Sequence, residues 1–439
     1  MTSYHAFQAA ARFGLGAREG EVSRIGNDPR GWVIEQLKAP HIPEEVKQRY
    51  GGTELLGGSL RSLRAGKNEA IESAVPRLKD IYINETGARL LAQVRSDQPF
   101  IERMVLFWSN HFTVSMQKAL LAAVVNQYEV EAIRPHVNGY FKDMLLAVCQ
   151  HPAMLFYLDN VQSFGANSPA GKRRDKGLNE NLAREIMELH TLGVSGGYTQ
   201  EDVIALANII TGWTLDRDSD ALAYKFQPLA HEPGSKTLLG HRFAEDGEQE
   251  GIDTLSMLAT HPATARHIAT KLVRHFVQDA PMEYAVQEVA NAFIRTGGHL
   301  PSVIYALVNI NEAWSAPLTK LKNPYEYVVS SLRLTGVEPT ATQAVRGLEA
   351  LNFRAFNAPS PAGYDDVAES WASSDAILKR IEWGQRLAQS LPAETNPMQL
   401  ADAGLGDLLS SNTRQVIERA ASGADGVALL LASPEFQRR

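Results

Sequence analysis

Cysteine is almost missing from this chain. One occurs in 439 residues, Cys149, directly after the apolar run Met144-Leu145-Leu146-Ala147-Val148. No intrachain disulfide can form, and with nothing cationic beside it in sequence the thiol reads as a small buried hydrophobe rather than a reactive group. Long apolar runs are missing too. None reaches the roughly 18 residues that a membrane helix needs, so no membrane span is expected. The opening Met1-Thr2-Ser3-Tyr4-His5 lacks a basic segment followed by an apolar stretch. The expected compartment is therefore the cytoplasm, or an exported one if a leader has been removed. A basic excess is also lacking. The net charge of −7 argues against a general nucleic-acid binder, and no nucleic-acid partner is expected. There is no Walker loop, no Gly-x-Ser-x-Gly elbow, no His-Glu-x-x-His and no cysteine cluster. Gly193-Val194-Ser195-Gly196-Gly197 is rich in glycine but lacks the preceding strand that a phosphate loop requires.

What is present is ordinary globular composition, with 44% hydrophobic and 21% charged residues, enough for a substantial core. Helical periodicity dominates. It predicts helices over 30–37, 87–95, 99–111, 120–134, 139–150, 179–192, 199–213, 262–277, 282–295, 301–310, 324–334 and 373–389. Thr199 followed by Gln200-Glu201-Asp202 resembles a capping box, and Pro152 and Pro262 sit where a helix's first turn tolerates proline. Short extended runs at 223–228 and 236–243 flank His231-Glu232-Pro233-Gly234-Ser235, which reads as a small β-hairpin excursion. The expected fold is mainly α, a multi-helix globular bundle in a single domain over 1–439. Loops are expected at 50–66, with five glycines, and at 160–177, which carries Lys172, Arg173, Arg174 and Lys176.

The segment 179–190 is unusually polar for its surroundings. On a helical wheel Glu180, Asn181, Arg184, Glu185 and Glu188 fall within an arc of about 140°, while Leu182, Ile186, Leu189 and His190 lie opposite. One reading is a solvated face laced by an i,i+4 ladder. The other is a buried site in which Glu185 and Glu188 present carboxylates and Arg184 orients one of them. Neighbouring carboxylates can split their pKa values and serve as acid and base, or hold a divalent metal. Asn208 and Thr211 form a polar stripe on the next, almost wholly apolar helix and need partners. Arg103, Phe107 and Asn110 share a face of another apolar helix that ends at His111. Asn110 and His111 there could be a structural cap or could be ligand and catalytic groups.

At these residues the chain resembles a known family. Phe107-Trp108-Ser109-Asn110-His111-Phe112, Ile133-Arg134-Pro135-His136 and His151-Pro152-Ala153-Met154-Leu155 carry part of the likeness. Tyr157-Leu158-Asp159-Asn160, the block from Gly177-Leu178-Asn179-Glu180-Asn181 to Gly196-Gly197-Tyr198-Thr199-Gln200, the segment with His231, Gly234, Lys236 and Leu239-Gly240, and the closing Ser433-Pro434-Glu435-Phe436-Gln437 carry the rest. Together they resemble the bacterial family catalogued as domain of unknown function 1800, from about Phe7 to the C-terminus. The resemblance implies no activity. It does imply a companion that looks like an alkaline phosphatase or sulfatase, since such genes often lie beside members of the family. Glu232-Pro233 departs from the family's pattern, where a less rigid turn would be expected.

Two functional readings follow. One is an enzyme of hydrolytic or metal-dependent type. Its catalytic groups would be His111, Arg184, Glu185 and Glu188, with Asn110, Asn181, Arg173, Arg174, His231 and Lys236 binding the ligand. The other is a non-catalytic binding or scaffold protein that partners the phosphatase- or sulfatase-like companion. The cluster Lys172-Arg173-Arg174 with Lys176 is read either as a solvated loop or as a lid over an anionic small molecule or polymer, because guanidinium forks suit carboxylate, phosphate and sulfate.

Overall fold

The computed structural model describes residues 4–48, 51–64, 69–174, 177–216, 219 and 221–439. Among these residues helices dominate, and none is long and apolar enough to cross a membrane. The mainly α expectation holds. The β structure among the described residues is confined to two short antiparallel pairs. Trp213–Leu215 pairs with Tyr224–Phe226, and Lys236–Leu238 pairs with His241–Phe243. The region matches the expectation, but its wiring differs. The runs at 223–228 and 236–243 do not pair across Pro233-Gly234. The second run folds on itself about Leu239-Gly240, where both residues have positive φ, as a two-residue hairpin of the right twist requires.

Prolines and side-chain acceptors start many helices. His151 precedes Pro152–Tyr157 and His261 precedes Pro262–Phe276, and each imidazole accepts from the backbone N–H two residues on, at 3.1 Å. The capping box at Thr199 and Asp202 forms as expected. Three expectations need correction. Residues 52–64 form the helix Gly52–Arg64, not a loop; Tyr50 and Gly66 lie outside the described residues. The glycine signal misled because Gly52 serves close packing: a Cβ there would lie 1.8 Å from the carbonyl oxygen of Ala123. The segment 160–177 contains Asn160–Gln162 and Pro169–Arg174 as short helical turns; Lys176 lies outside the described residues, as does the side chain of Arg174. The helix expected over 120–134 is broken into the pieces Ala119–Ala123, Val125–Tyr128 and a π-helical turn, Glu129–Ile133. There the buried Glu129 receives Arg89 at 2.6 Å and Arg134 at 3.1 Å, and Arg134 also pairs with Glu102 at 2.8 Å.

Among the described residues the interior has two large apolar clusters and a small one of Phe164, Ala170 and Ala230. Of the two large ones, the larger gathers Phe13, Phe100, Trp108, Phe112, Phe141 and Ile268 with Val303, Ile304 and Leu307. The smaller gathers Leu90, Tyr327, Leu332, Leu348, Leu387 and Leu430. Buried arginines stitch the segments around them. Arg333 is fully enclosed on the helix Pro324–Thr335. It donates to both carboxylate oxygens of Glu21 at 2.9 and 2.8 Å and to the carbonyls of Gly16, Gln93, Val94 and Ser96. It thereby ties the N-terminal helices to the end of the long helix Glu69–Arg95. Removing one partner of such a pair leaves the other charge buried and alone. Arg333→Leu is therefore expected to lower unfolding free energy by about 3–5 kcal/mol in urea titration. A loss within that of an ordinary surface substitution would show that this pair does not hold the segments together.

Candidate functional site

The polar helix resolves into an α-helical part, Asn181–Glu185, followed by a π-helical turn, Ile186–His190. An i→i+5 turn inserts a residue relative to the α-helix, and such turns recur at functional sites. It points the last two carbonyls of the helix, those of Leu189 and His190, at side chains from elsewhere. His267 Nε2–H donates to the Leu189 carbonyl at 3.0 Å, and His111 Nε2–H donates to the His190 carbonyl at 3.1 Å. Two imidazoles thus satisfy carbonyls that a helix end leaves without partners. Donation through Nε2 leaves each ring's Nδ1 as the unprotonated nitrogen. The His111 Nδ1 is buried with no partner among the described residues.

His111 and His267 face a cavity of about 360 Å³, a volume suited to a small molecule. One wall is the helix Pro262–Phe276. His267, Thr270, Lys271, Arg274 and His275, spaced i, i+3, i+4, i+7, i+8, all line the cavity. The segment 362–367 forms another wall, and Phe107, Tyr325, Phe353, Phe356 and Tyr364 give the cavity aromatic surface. Asn110 holds that segment. Its side chain donates to the Tyr364 carbonyl at 2.9 Å and accepts from the Tyr364 N–H at 2.7 Å. Gly363, at φ +87°, passes so close that a Cβ would lie 2.4 Å from the Asn110 carbonyl oxygen. Asp366 is thereby brought to His275, whose Nδ1–H donates to Asp366 Oδ2 at 2.7 Å; the opposite ring nitrogen has no partner among the described residues.

The charges here are unevenly neutralised. Asp366 also meets Lys320 and Arg439, both at 3.3 Å, and its carboxyl is held far below the usual range; burial opposes this, but the pull of His275 through its hydrogen bond and the charges of Arg439 and Lys320 outweigh it. Lys271 has no hydrogen bond or ion pair among the described residues. Burial pulls its ammonium down to about 8, against the attraction of Asp366. Arg274 reaches only the Asp279 carbonyl, at 3.3 Å. The imidazoles stay neutral. Burial, reinforced by the charge of Lys271, holds His267 down to about 4 and His111 well below its ordinary value. Burial brings His275 to about 4 even beside Asp366.

The sequence-based candidates divide. His111 and Asn110 belong to the cavity, the first as an imidazole on its wall and the second as the holder of 363–366. The glutamate face does not line it. Arg184 pairs with Glu180 at 3.0 Å and reaches Gln200 at 2.9 Å, Glu188 accepts from the Tyr198 hydroxyl at 3.3 Å, and Asn181 is exposed. Glu185 is half-buried and its carboxyl is pushed up, first by burial and then by Glu188. The mutual hydrogen bonding expected of Glu185, Glu188 and Arg184 is absent among the described residues. Thr211 turns away to accept from the Glu232 N–H at 2.8 Å. His231 and Lys236 close a buried network instead of facing a cavity: both meet Glu250 Oε2, at 3.1 and 3.0 Å, and Lys236 also donates to the Glu232 carbonyl. Arg173 is exposed, and no described residue of 160–174 lines the cavity, which corrects the lid reading. No group of three or more His, Cys, Asp or Glu among the described residues is placed to hold a metal ion.

The stripe on 262–276 escaped the sequence reading although its spacing is legible. His267-x-x-x-Lys271-x-x-x-His275 lies on one helical face and could have been found by asking which helix puts basic groups in register. Gly193 also has its explanation here. At φ +82° it passes the His267 ring, and a Cβ would sit 2.8 Å from Nδ1. The family model described as "Protein of unknown function (DUF1800)" matches residues 8–438. The chain belongs to this family. No curated protein and no solved structure matches it. The cavity's own geometry therefore carries the functional reading for this family member.

His190 provides a direct check on the electrostatics. It is fully buried, both ring nitrogens lack partners among the described residues, and burial with the charge of Lys271 holds it down to about 3. The unfolded chain takes up this proton near pH 6.5, whereas the folded protein does so only near pH 3. Stability is therefore lost as pH falls from 6.5 toward 3. Replacing this one histidine, as His190→Leu, should recover about 2 kcal/mol of the loss between pH 7 and pH 5 in urea unfolding. Parallel stability profiles for parent and variant would contradict the neutral, buried imidazole.

Proposed function

We propose that the cavity binds a small organic anion, with the Lys271 and Arg274 cations meeting its charge and the aromatic wall meeting its body. The observation that carries this reading is the Lys271 ammonium at the cavity, which has no hydrogen bond or ion pair among the described residues. Lys271 is half-buried, and a partly desolvated cation is usually matched by a carboxylate of the protein. Here the nearby Asp366 is already taken by His275, Lys320 and Arg439, and Glu326 by Arg103 and Arg439. Phe107, Phe353 and Tyr364 supply an apolar surface, so a ligand with a ring or short aliphatic body is favoured over a bare inorganic ion. This places the anion-binding role on the 262–276 helix. Arg173, His231 and Lys236 have no part in it.

Isothermal titration calorimetry with benzoate, phenyl phosphate and inorganic sulfate tests the reading. Saturable binding of an organic anion is expected, weakening as salt is raised. Lys271→Met and Arg274→Gln should each reduce affinity about tenfold or more, equivalent to about 1.4 kcal/mol. The Lys271→Met protein should melt no lower than the parent at pH 7, because the substitution removes a half-buried charge that has no partner among the described residues. Absence of binding to the parent, or equal binding by both variants, overturns the proposal.

A further inference from the structure

Lys271 is the one primary amine among the described residues lining the cavity; it is half-buried, and its setting differs from that of the buried lysines. Lys236 is consumed by Glu250 and the Glu232 carbonyl. Lys320 is consumed by Asp279 and Asp366. Lys322 lies over the Phe436 ring, 3.9 Å from its centroid, away from the cavity lining. Lys271 lines the cavity with no partner of its own among the described residues. One helical turn before it stands His267 and one turn after it His275, both neutral, and His111 lines the cavity beside them. Arg274 is a second, permanent cation on the same face. An amine nucleophile needs a free lone pair, a neighbouring cation and a group that can carry protons. A substrate with both a carbonyl and an anionic group would use all of these at once.

We propose that Lys271 is a nucleophilic amine that forms an imine with an anionic carbonyl compound of the oxo-acid class, whose carboxylate is held by Arg274. This rests on the reading of the cavity as an organic-anion site. The neutral Lys271 Nζ attacks the carbonyl carbon, forming a C–N bond while the C=O π pair moves to oxygen. The attacking nitrogen gives up its two protons in succession, the former carbonyl oxygen takes up two and leaves as water when the C–O bond breaks, and the nitrogen lone pair closes the C=N bond. The balance is amine plus carbonyl compound to imine plus water, with no oxidant or reductant. The unprotonated Nδ1 of His267, one helical turn from Lys271, is suited to carry a proton between nitrogen and departing oxygen. Burial supports the assignment by favouring the neutral amine, since it brings the Lys271 ammonium down to about 8.

The test is reductive trapping on the full chain. The protein is incubated with pyruvate, or with acetone as the uncharged control, and sodium borohydride is added. Intact mass and peptide mapping then locate the adduct. A single reduced pyruvate adduct on Lys271 is expected, saturating with pyruvate concentration and absent with acetone. Benzoate, if bound in the calorimetric experiment, should suppress it. Arg274→Gln should require about tenfold more pyruvate for the same labelling. Lys271→Arg, which keeps the charge but not the nucleophile, should show no adduct there while still binding benzoate. Calorimetric binding of benzoate without an adduct at Lys271 would overturn the imine and leave the anion site standing. Adducts spread over several lysines with no preference for Lys271 would overturn it equally. Neither benzoate binding nor an adduct would overturn both readings together.

Discussion

The carboxylate of Glu326 is the joint on which the surroundings of the cavity depend. It lies on the first turn of Pro324–Thr335, where it accepts from the Asn323 N–H in a capping box. One oxygen meets Arg103 at 2.6 Å and the other meets Arg439 at 2.8 Å. Arg103 belongs to the helix that ends at His111, and Arg439 continues to Asp366 and the His275 carbonyl. One buried anion therefore connects the larger apolar cluster, the smaller one and the cavity wall. Burial alone would push this carboxyl up; the two guanidinium groups dominate and bring it down to about 2. Such a chain stabilises only while its buried charges have their partners, because Glu326, Arg103 and Arg439 are too buried for water to substitute.

The pairing within the wall explains why Lys271 has no carboxylate partner among the described residues. Asp366 would be its natural counter-ion, but its oxygens are held by His275, Lys320 and Arg439. The neighbouring imidazoles offer no negative charge, and they are kept neutral by the same burial that weakens the lysine's hold on its own proton. The π-helical end of 186–190 completes the arrangement. By directing two carbonyls to His111 and His267 it fixes which ring nitrogens carry hydrogen. Polar groups at the cavity are thus arranged by backbone acceptors from a helix whose own charged face points elsewhere.

The glutamate face shows why a prominent local pattern can mislead. Glu180, Arg184 and Glu188 satisfy the i,i+4 spacing of a solvated ladder, and Glu180 and Arg184 do pair as such a ladder would. Burial of the apolar side, including His190, also follows from the wheel. The wheel assumes one period throughout and gives no sign of the π-helical turn. His231 and Lys236 posed a different problem. Polar residues beside a Pro-Gly corner look available to a ligand, but Glu250, far along the chain, fills their hydrogen-bonding capacity.

The amino-acid sequence by itself determined the helical class, the capping at Thr199, the place of the small β excursion and the presence of His111 at the end of a buried helix. These follow from periodicity and from contacts within a few residues, where chain geometry permits few alternatives. It also contained the basic stripe on 262–276 as a spacing, without showing that this face borders a cavity. Tertiary structure alone decided which charges are neutralised. Lys271 differs from Lys236 and Lys320 only because Glu250, Asp279 and Asp366 reach the latter two, and pairing over such distances depends on how helices cross rather than on any local pattern. In a buried setting, the presence or absence of that one carboxylate decides whether a lysine stabilises the fold or remains free to meet a ligand.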